Sequence, residues 1–362
     1  MGTSINVRRR GLAWAVAFLA AFVLGASAQT PPAMVVIKGS GGPVVFLRFS
    51  PKGGELARIS QFGPVALFGT SDYHKARTFA IGMRMVAYSA DGTRIATAEG
   101  TDGARIWDAS APGTALPHSV QTMSLSADDV FMLDTPLQVL QTPSRDSTQR
   151  IFWSEFSPDG KRLITTHANG HVKIWNTDSW VVDEEPVVTD GEVHAAAFSP
   201  DGKTVMIGDT NGALHLWSLA DQKEIKTVRT PAGVTGITFS PDGQMLVTTH
   251  QSASTMIWNT QTWIAQVENG YSSAAYSPDG KTLALGGSHI RLIDSISRKQ
   301  IREIELPTMT MTEISEQFRN MPNANTKVGI LIGALAFAPN GFVLAAGCMD
   351  GTVRVLNLKL TR

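Results

Sequence analysis

The chain has 362 residues, 43% of them hydrophobic, with 31 basic and 31 acidic side chains. That is ample for a large buried core, and the near-even charge gives no field for holding a polyanion, so nucleic acid is not an expected partner. One cysteine, Cys348, excludes an internal disulfide framework, which leaves stability to packing.

The N-terminus reads as a targeting segment. Arg8-Arg9-Arg10 precede an apolar run from Gly11 to Leu24, and Ala26-Ser27-Ala28 has the small-residue spacing of a cleavage site. Residues 1–28 are therefore expected to be a secretory signal peptide, too short in its apolar part to persist as a membrane anchor. Export to a periplasm or the cell exterior follows, and no later segment is long and apolar enough to span a bilayer. The chain from 29 onward carries 28 basic and 31 acidic residues.

From there one phrase recurs. An aromatic followed by Ser-Pro-Asp-Gly stands at Phe156, Phe198, Phe239 and Tyr276, with looser copies beginning at Phe49, Tyr88 and Phe337. In six of these seven copies, a large apolar residue follows the aromatic after nineteen positions: Phe68, Trp107, Trp175, Trp217, Trp258 and Leu356. Each copy predicts four strands. Val193–Phe198 alternates as a strand, and Ser199-Pro200-Asp201-Gly202 is a tight turn. Thr204–Ile207 returns, and Asn211-Gly212 turns again into Ala213–Trp217. Asp221–Val228 makes the outer strand. A period of about forty residues with four strands per copy predicts a ring of blades, because one blade alone leaves both faces apolar.

Between Tyr88 and Phe156 the spacing widens. Leu125–Asp129 echoes the turn phrase, Val130–Leu133 reads as a second strand and Leu137–Leu140 as a third. This favours an eight-bladed ring over a seven-bladed one with an inserted hairpin. The last copy ends on its third strand, so Met34–Lys38 is expected to supply the missing fourth and close the ring.

Trp107-Asp108, Trp175-Asn176, Trp217-Ser218 and Trp258-Asn259, with the turns Asp102-Gly103, Asn169-Gly170, Asn211-Gly212 and Asp350-Gly351, resemble the WD-repeat β-propeller family over nearly all of residues 34–362. The Ser-Pro-Asp-Gly-Lys wording is similar to bacterial members. The resemblance implies an all-β propeller of four-stranded antiparallel blades and scaffold or recognition work. The Gly-His pair that usually precedes the first strand is absent. The family's Asp-His-Ser-Trp network is therefore not expected in full, and the blades should lean more on apolar packing.

Candidate site residues come from aligning the copies. Eleven positions after each aromatic, Glu99, His167, Asp209 and His250 share one ring at the upper rim. These residue types suit polar ligands, although strand ends of separate blades stand too far apart to share one ion. The insertion 307–328 falls on the same face, and its Met309, Met311 and Phe318 offer an adaptable apolar contact surface. Thr312 and Glu316 there suit the start of a short helix. No catalytic set, resident metal or cofactor motif stands out, and Gly286-Gly287-Ser288-His289 reads as a compressed turn. The expectation is a non-catalytic exported scaffold that binds a protein or peptide through its upper face. The alternatives are a propeller hydrolase or lactonase with a metal or polar ligand in the central channel, and a binder of cell-envelope glycan through Trp180 and Trp263.

Overall fold

The computed structural model describes residues 34–38, 42–61, 65–78, 85–98, 103–110, 114–115, 130–131, 137–140, 150–186, 189–307, 309–310 and 327–360. The signal-like segment, Glu99, Met311, Phe318 and the expected helix after Thr312 lie outside these residues. Among the described residues no helix is long and apolar enough to cross a membrane.

Seven four-stranded antiparallel sheets form a ring. Blades 1 to 6 span 44–78, 85–139, 151–184, 193–229, 234–269 and 273–304, and blade 7 combines 332–357 with Met34–Ile37. That N-terminal strand lies antiparallel to the third strand of blade 7, pairing Met34 with Leu356 and Ile37 with Val353. The two ends of the chain thus share one sheet. The packing shows the same closure. Seven apolar clusters sit between successive blades, and one joins Val44, Leu47 and Phe49 of blade 1 to Ala345, Val353 and Val355 of blade 7. An open stack of seven would leave that last interface in water.

The ring has seven blades rather than the favoured eight. Val130–Phe131 pairs parallel to the outer strand of blade 1 and antiparallel to Thr114–Ala115, extending that sheet outward. Gln138–Val139 lies against the third strand of blade 2, bracketed by Leu137 N–H to Ile106 O at 2.7 Å and Leu140 N–H to Ala104 O at 2.9 Å. It is the fourth strand of blade 2, returned after a long excursion. The expected third strand of the extra copy, Leu137–Leu140, thus completes blade 2, with Leu140 buried between blades 2 and 3, while Leu125–Asp129 lies outside the described residues.

The rim carrying the Ser-Pro-Asp-Gly turns is here the lower face; the opposite rim is the upper. In blade 4 the Ser199 hydroxyl donates to Asp201 Oδ1 at 2.6 Å and accepts from Thr204 N–H at 3.0 Å, while Gly202 N–H reaches Ser199 O at 2.8 Å. Gly202 holds φ +67°, which only glycine adopts cheaply. The same serine–aspartate bond, at 2.6 Å, recurs in blades 2, 3, 5 and 6. A threonine after the third strand fastens this turn to the next, as in Thr177 Oγ1 to Gly160 O at 2.7 Å. The lower rim is therefore a stiff band of interlocked turns.

Candidate functional site: the upper mouth of the channel

On the upper rim, His167, Asp209 and His250 are 1%, 3% and 2% exposed, respectively, and each bonds within its own blade. Asp209 Oδ1 accepts from the N–H groups of Asn211 and Ala213 at 3.0 and 2.8 Å, holding the turn between second and third strands. In blade 5 the bonds form a relay whose proton positions follow from valence. The Trp258 indole can only donate, and it reaches Thr248 Oγ1 at 2.9 Å. The Ala232 carbonyl can only accept, so His250 Nδ1, 3.1 Å away, carries the ring proton. Nε2 of the neutral ring is then an acceptor and takes the Thr248 hydroxyl proton at 2.9 Å. The relay needs a neutral imidazole, and burial holds the His250 pKa below its ordinary value.

Blade 3 repeats the arrangement with Trp175, Thr165 and His167, and blade 2 has the Trp107–Thr97 bond at 2.8 Å. Blade 4 carries Ile207 where the threonine would stand, so Trp217 turns outward to Glu184 of blade 3 at 2.9 Å. A polar relay thus exists where reliance on apolar packing was expected, its histidine supplied by the second strand. Met309 lies at the foot of the insertion, where Met309–Thr310 pairs with Lys327–Val328.

The side chains that do open onto the upper mouth come from a feature of the first strands. In blades 1, 3, 4, 5 and 7 the first-to-second-strand ladder slips by one residue after its first pair. The extra residues are Val45, Phe152, His194, Thr235 and Gly333, each four positions before the aromatic. A bulge bends a strand and re-aims its side chain, and five in register surround the mouth with such positions. Phe152 and His194 lie ring against ring with centroids 4.3 Å apart, and His194 Nε2 is 2.8 Å from Glu192 Oε2. At the junction of blades 7 and 1 runs an apolar patch: Val45, Leu331 and Met349 are 44%, 55% and 44% exposed. They are contiguous, because Met349 N–H bonds Leu331 O at 2.9 Å and Gly333 lies between Met349 and the Val44 carbonyl. Leu331 follows the foot of the insertion by three residues.

Below the mouth the channel is lopsided. Among the described residues blade 2 contributes the short inner strand Met85–Tyr88, and Phe46 of blade 1 meets Trp153 of blade 3 edge to face, centroids 6.0 Å apart. These two rings and the small residues Ala197, Gly236, Ala275 and Gly333 line a cavity of about 540 Å³. Arg48 and Glu155 line it. Burial raises the Glu155 pKa, and the charge of Arg48 and the Trp153 indole pull it partly back.

Two family models match this chain. The WD domain, G-beta repeat, matches residues 326–357, which is the copy in blade 7; eukaryotic translation initiation factor eIF2A matches residues 126–284, across blades 3 to 5 and into blade 6. The chain is a seven-bladed β-propeller, and the copy in its last blade matches the WD repeat. No curated protein matches it.

The propeller keeps the repeat's tryptophan and turns but changes which strand supplies the histidine. Trp180 and Trp263 lie on the lower rim in the left-handed region, φ +56° and +58°, at the end of the turn between third and fourth strands. Arg94 and Lys226 sit 5.7 and 5.6 Å from their ring centroids, so each half-buried indole face is capped by a cation. The bulged residues escaped the sequence reading, but their signal is present. Val44, Leu47, Phe49 and Val234, Ile237, Phe239 are spaced three then two, and a three-residue step in a two-residue period marks a bulge.

Proposed function

We propose that this propeller is a non-catalytic, exported scaffold that binds an extended segment of a protein partner across its upper mouth. The observation carrying this reading is the ring of five bulges beside the contiguous patch of Val45, Leu331 and Met349. WD-repeat propellers commonly serve as interaction scaffolds, and the long insertion rises from the same rim. A rigid ring with a stiff lower band presents such a surface with little ordering cost on binding. The initiation-factor match covers the repeats, and the near-even charge does not favour RNA.

The test is a pull-down from the envelope fraction of the exporting cell with wild type, Leu331→Asp and a variant lacking residues 311–326. Loss of one captured partner in both variants, with unchanged thermal unfolding, supports the reading. Capture undiminished in both refutes it. Export is checked on the same material by N-terminal sequencing, with Gln29 expected as the first residue.

A second reading rests on Glu155. A carboxyl with a raised pKa beside Arg48, facing a cavity of about 540 Å³, suits a small polar ligand, and the hydrolase alternative would place its chemistry there. Turnover of an ester or lactone panel that Glu155→Gln abolishes would establish that reading over the scaffold.

A further inference from the structure

At the upper outer edge of blade 6 three donor groups meet that no part of the partner-binding reading uses. His289 opens the third strand of that blade, Ile290–Asp294, and Glu303 and Glu305 lie on and just beyond its fourth, Gln300–Ile304. The ladder pairs Ile290 with Ile304, so one step further Glu305 stands across from His289. Glu303, two residues from Glu305, projects from the same side of the sheet. One ligand atom from each of the three lies within 4.8 Å of the others.

We infer that His289, Glu303 and Glu305 form a binding site for one divalent transition-metal ion, with zinc the best-matched probe. One imidazole nitrogen and two carboxylate oxygens from adjacent strands are the mixed N/O donor set that zinc and its neighbours take. The imidazole is oriented for it. Ser288 Oγ lies 3.2 Å from Nδ1, which gives the distal nitrogen a hydrogen-bond partner, and the Tyr271 ring packs edge to face against the imidazole at 5.5 Å. Nε2 then faces the carboxylates, 3.6 Å from Glu303 Oε1. The Tyr271 hydroxyl is 3.0 Å from the same nitrogen, so an incoming ion displaces that bond and gains a neutral oxygen beside it.

The charge balance also asks for a cation. Arg291, the ladder partner of Glu303, is turned to Glu268 of blade 5 at 2.9 Å. Glu303 Oε2 accepts from the uncharged Gln300 amide at 3.2 Å. Two carboxylates on one side of a strand, with the guanidinium of the ladder partner engaged elsewhere, repel each other until a positive charge separates them. Glu305 precedes Pro307 by two residues, so the ion would fasten the turn after Gly286 to the root of the insertion.

The test is titration of the full chain, freed of metal with chelator, with zinc chloride in a calorimeter, alongside thermal unfolding with and without zinc. Wild type is expected to bind one ion per chain and to melt higher with zinc. His289→Ala and Glu305→Gln should each weaken binding at least tenfold and abolish the thermal shift while melting like wild type without metal. His215→Ala, which removes a different imidazole–carboxylate pair (His215–Glu224, 2.9 Å), should bind zinc unchanged. No saturable binding by wild type, wild-type affinity in His289→Ala or Glu305→Gln, or loss in His215→Ala would overturn the assignment. Partner capture does not enter this experiment, so the two readings fail separately.

Discussion

Thr248→Val isolates the polar relay of blade 5 with almost no change of shape. The hydroxyl is fully buried, accepts from Trp258 and donates to His250. Its removal strands the indole N–H, whose residue is 3% exposed, and leaves His250 Nε2 without a donor while Nδ1 keeps Ala232. A buried donor left unpaired costs about 1–3 kcal/mol, and the orphaned acceptor adds a similar or smaller amount. The methyl group needs no desolvation of its own and offsets part of this, so the net loss should be about 2–4 kcal/mol. Urea unfolding followed by tryptophan fluorescence measures it as a shift in midpoint at unchanged slope. Trp258→Phe in the same background removes the stranded donor, so the cycle should show a coupling of about 1 kcal/mol or more. Thr235→Val, at the exposed mouth where Thr235 meets Thr249 at 3.1 Å, should change stability by under about 0.5 kcal/mol. If Thr248→Val falls in that lower range, the relay is incidental and apolar packing alone carries the blade.

Four other expectations are open to direct measurement. Ile37→Ala empties a 6%-exposed position in the cluster that closes the ring and should cost about 2–4 kcal/mol, read by urea unfolding and by earlier proteolysis at the N-terminal strand. Asp91 is held at a pKa of about 2, chiefly by the Ser89 hydroxyl and then by Thr93. Its contribution is complete above about pH 4 and is lost as pH falls to about 2, so Asp91→Asn should be less stable at neutral pH and flatter across that acid window. Burial, with the charge of Asp350 second, pushes the Cys348 thiol up to about 12; native protein at pH 8 should not react with a thiol reagent, and denatured protein should show one thiol per chain. Gly170 and Gly160 share a positive φ, +79° and +70°, but an added Cβ would lie 2.0 Å from Thr189 O at Gly170 and meets nothing within 4 Å at Gly160. Alanine should cost about 2–5 kcal/mol at the first and about 1–2 kcal/mol at the second by urea unfolding.

The repeat made most of this fold legible because its turn phrase encodes local chemistry. Serine, aspartate and glycine bond one another within four residues, so no distant contact is needed to read them. Closure by Met34–Ile37 was legible for a related reason: the segment has the length and apolar character of a strand, and it pairs along Val353–Leu356. Blade number was harder because an outer strand needs only a few backbone bonds and carries little pattern. Gln138–Val139 is a two-residue strand, and sequence gives no sign that it belongs to the Trp107 copy thirty residues earlier. His167 and His250 belong to the first pair of their ladders, opposite Ile151 and Val234, and the bulged residue comes directly after that pair.

The two rims divide the work of the ring, and the bulges explain how. A first strand in strict alternation would have to send every second side chain to the same flank, leaving no position for the mouth that did not also disturb a blade interface. One extra residue after the first pair separates those duties. Ile151, Ser154 and Phe156 stay in the packing between blades, while Phe152 is released to the rim. The cost is one disrupted ladder step in each bulged blade, and the turns that hold the second strand on both sides of it keep that cost local. Substitution at Val45, Phe152, His194 or Thr235 should therefore be far better tolerated than at Val44, Ile151, Val193 or Val234 beside them. That is the pattern a recognition surface requires, since its residues can change without dismantling the ring beneath.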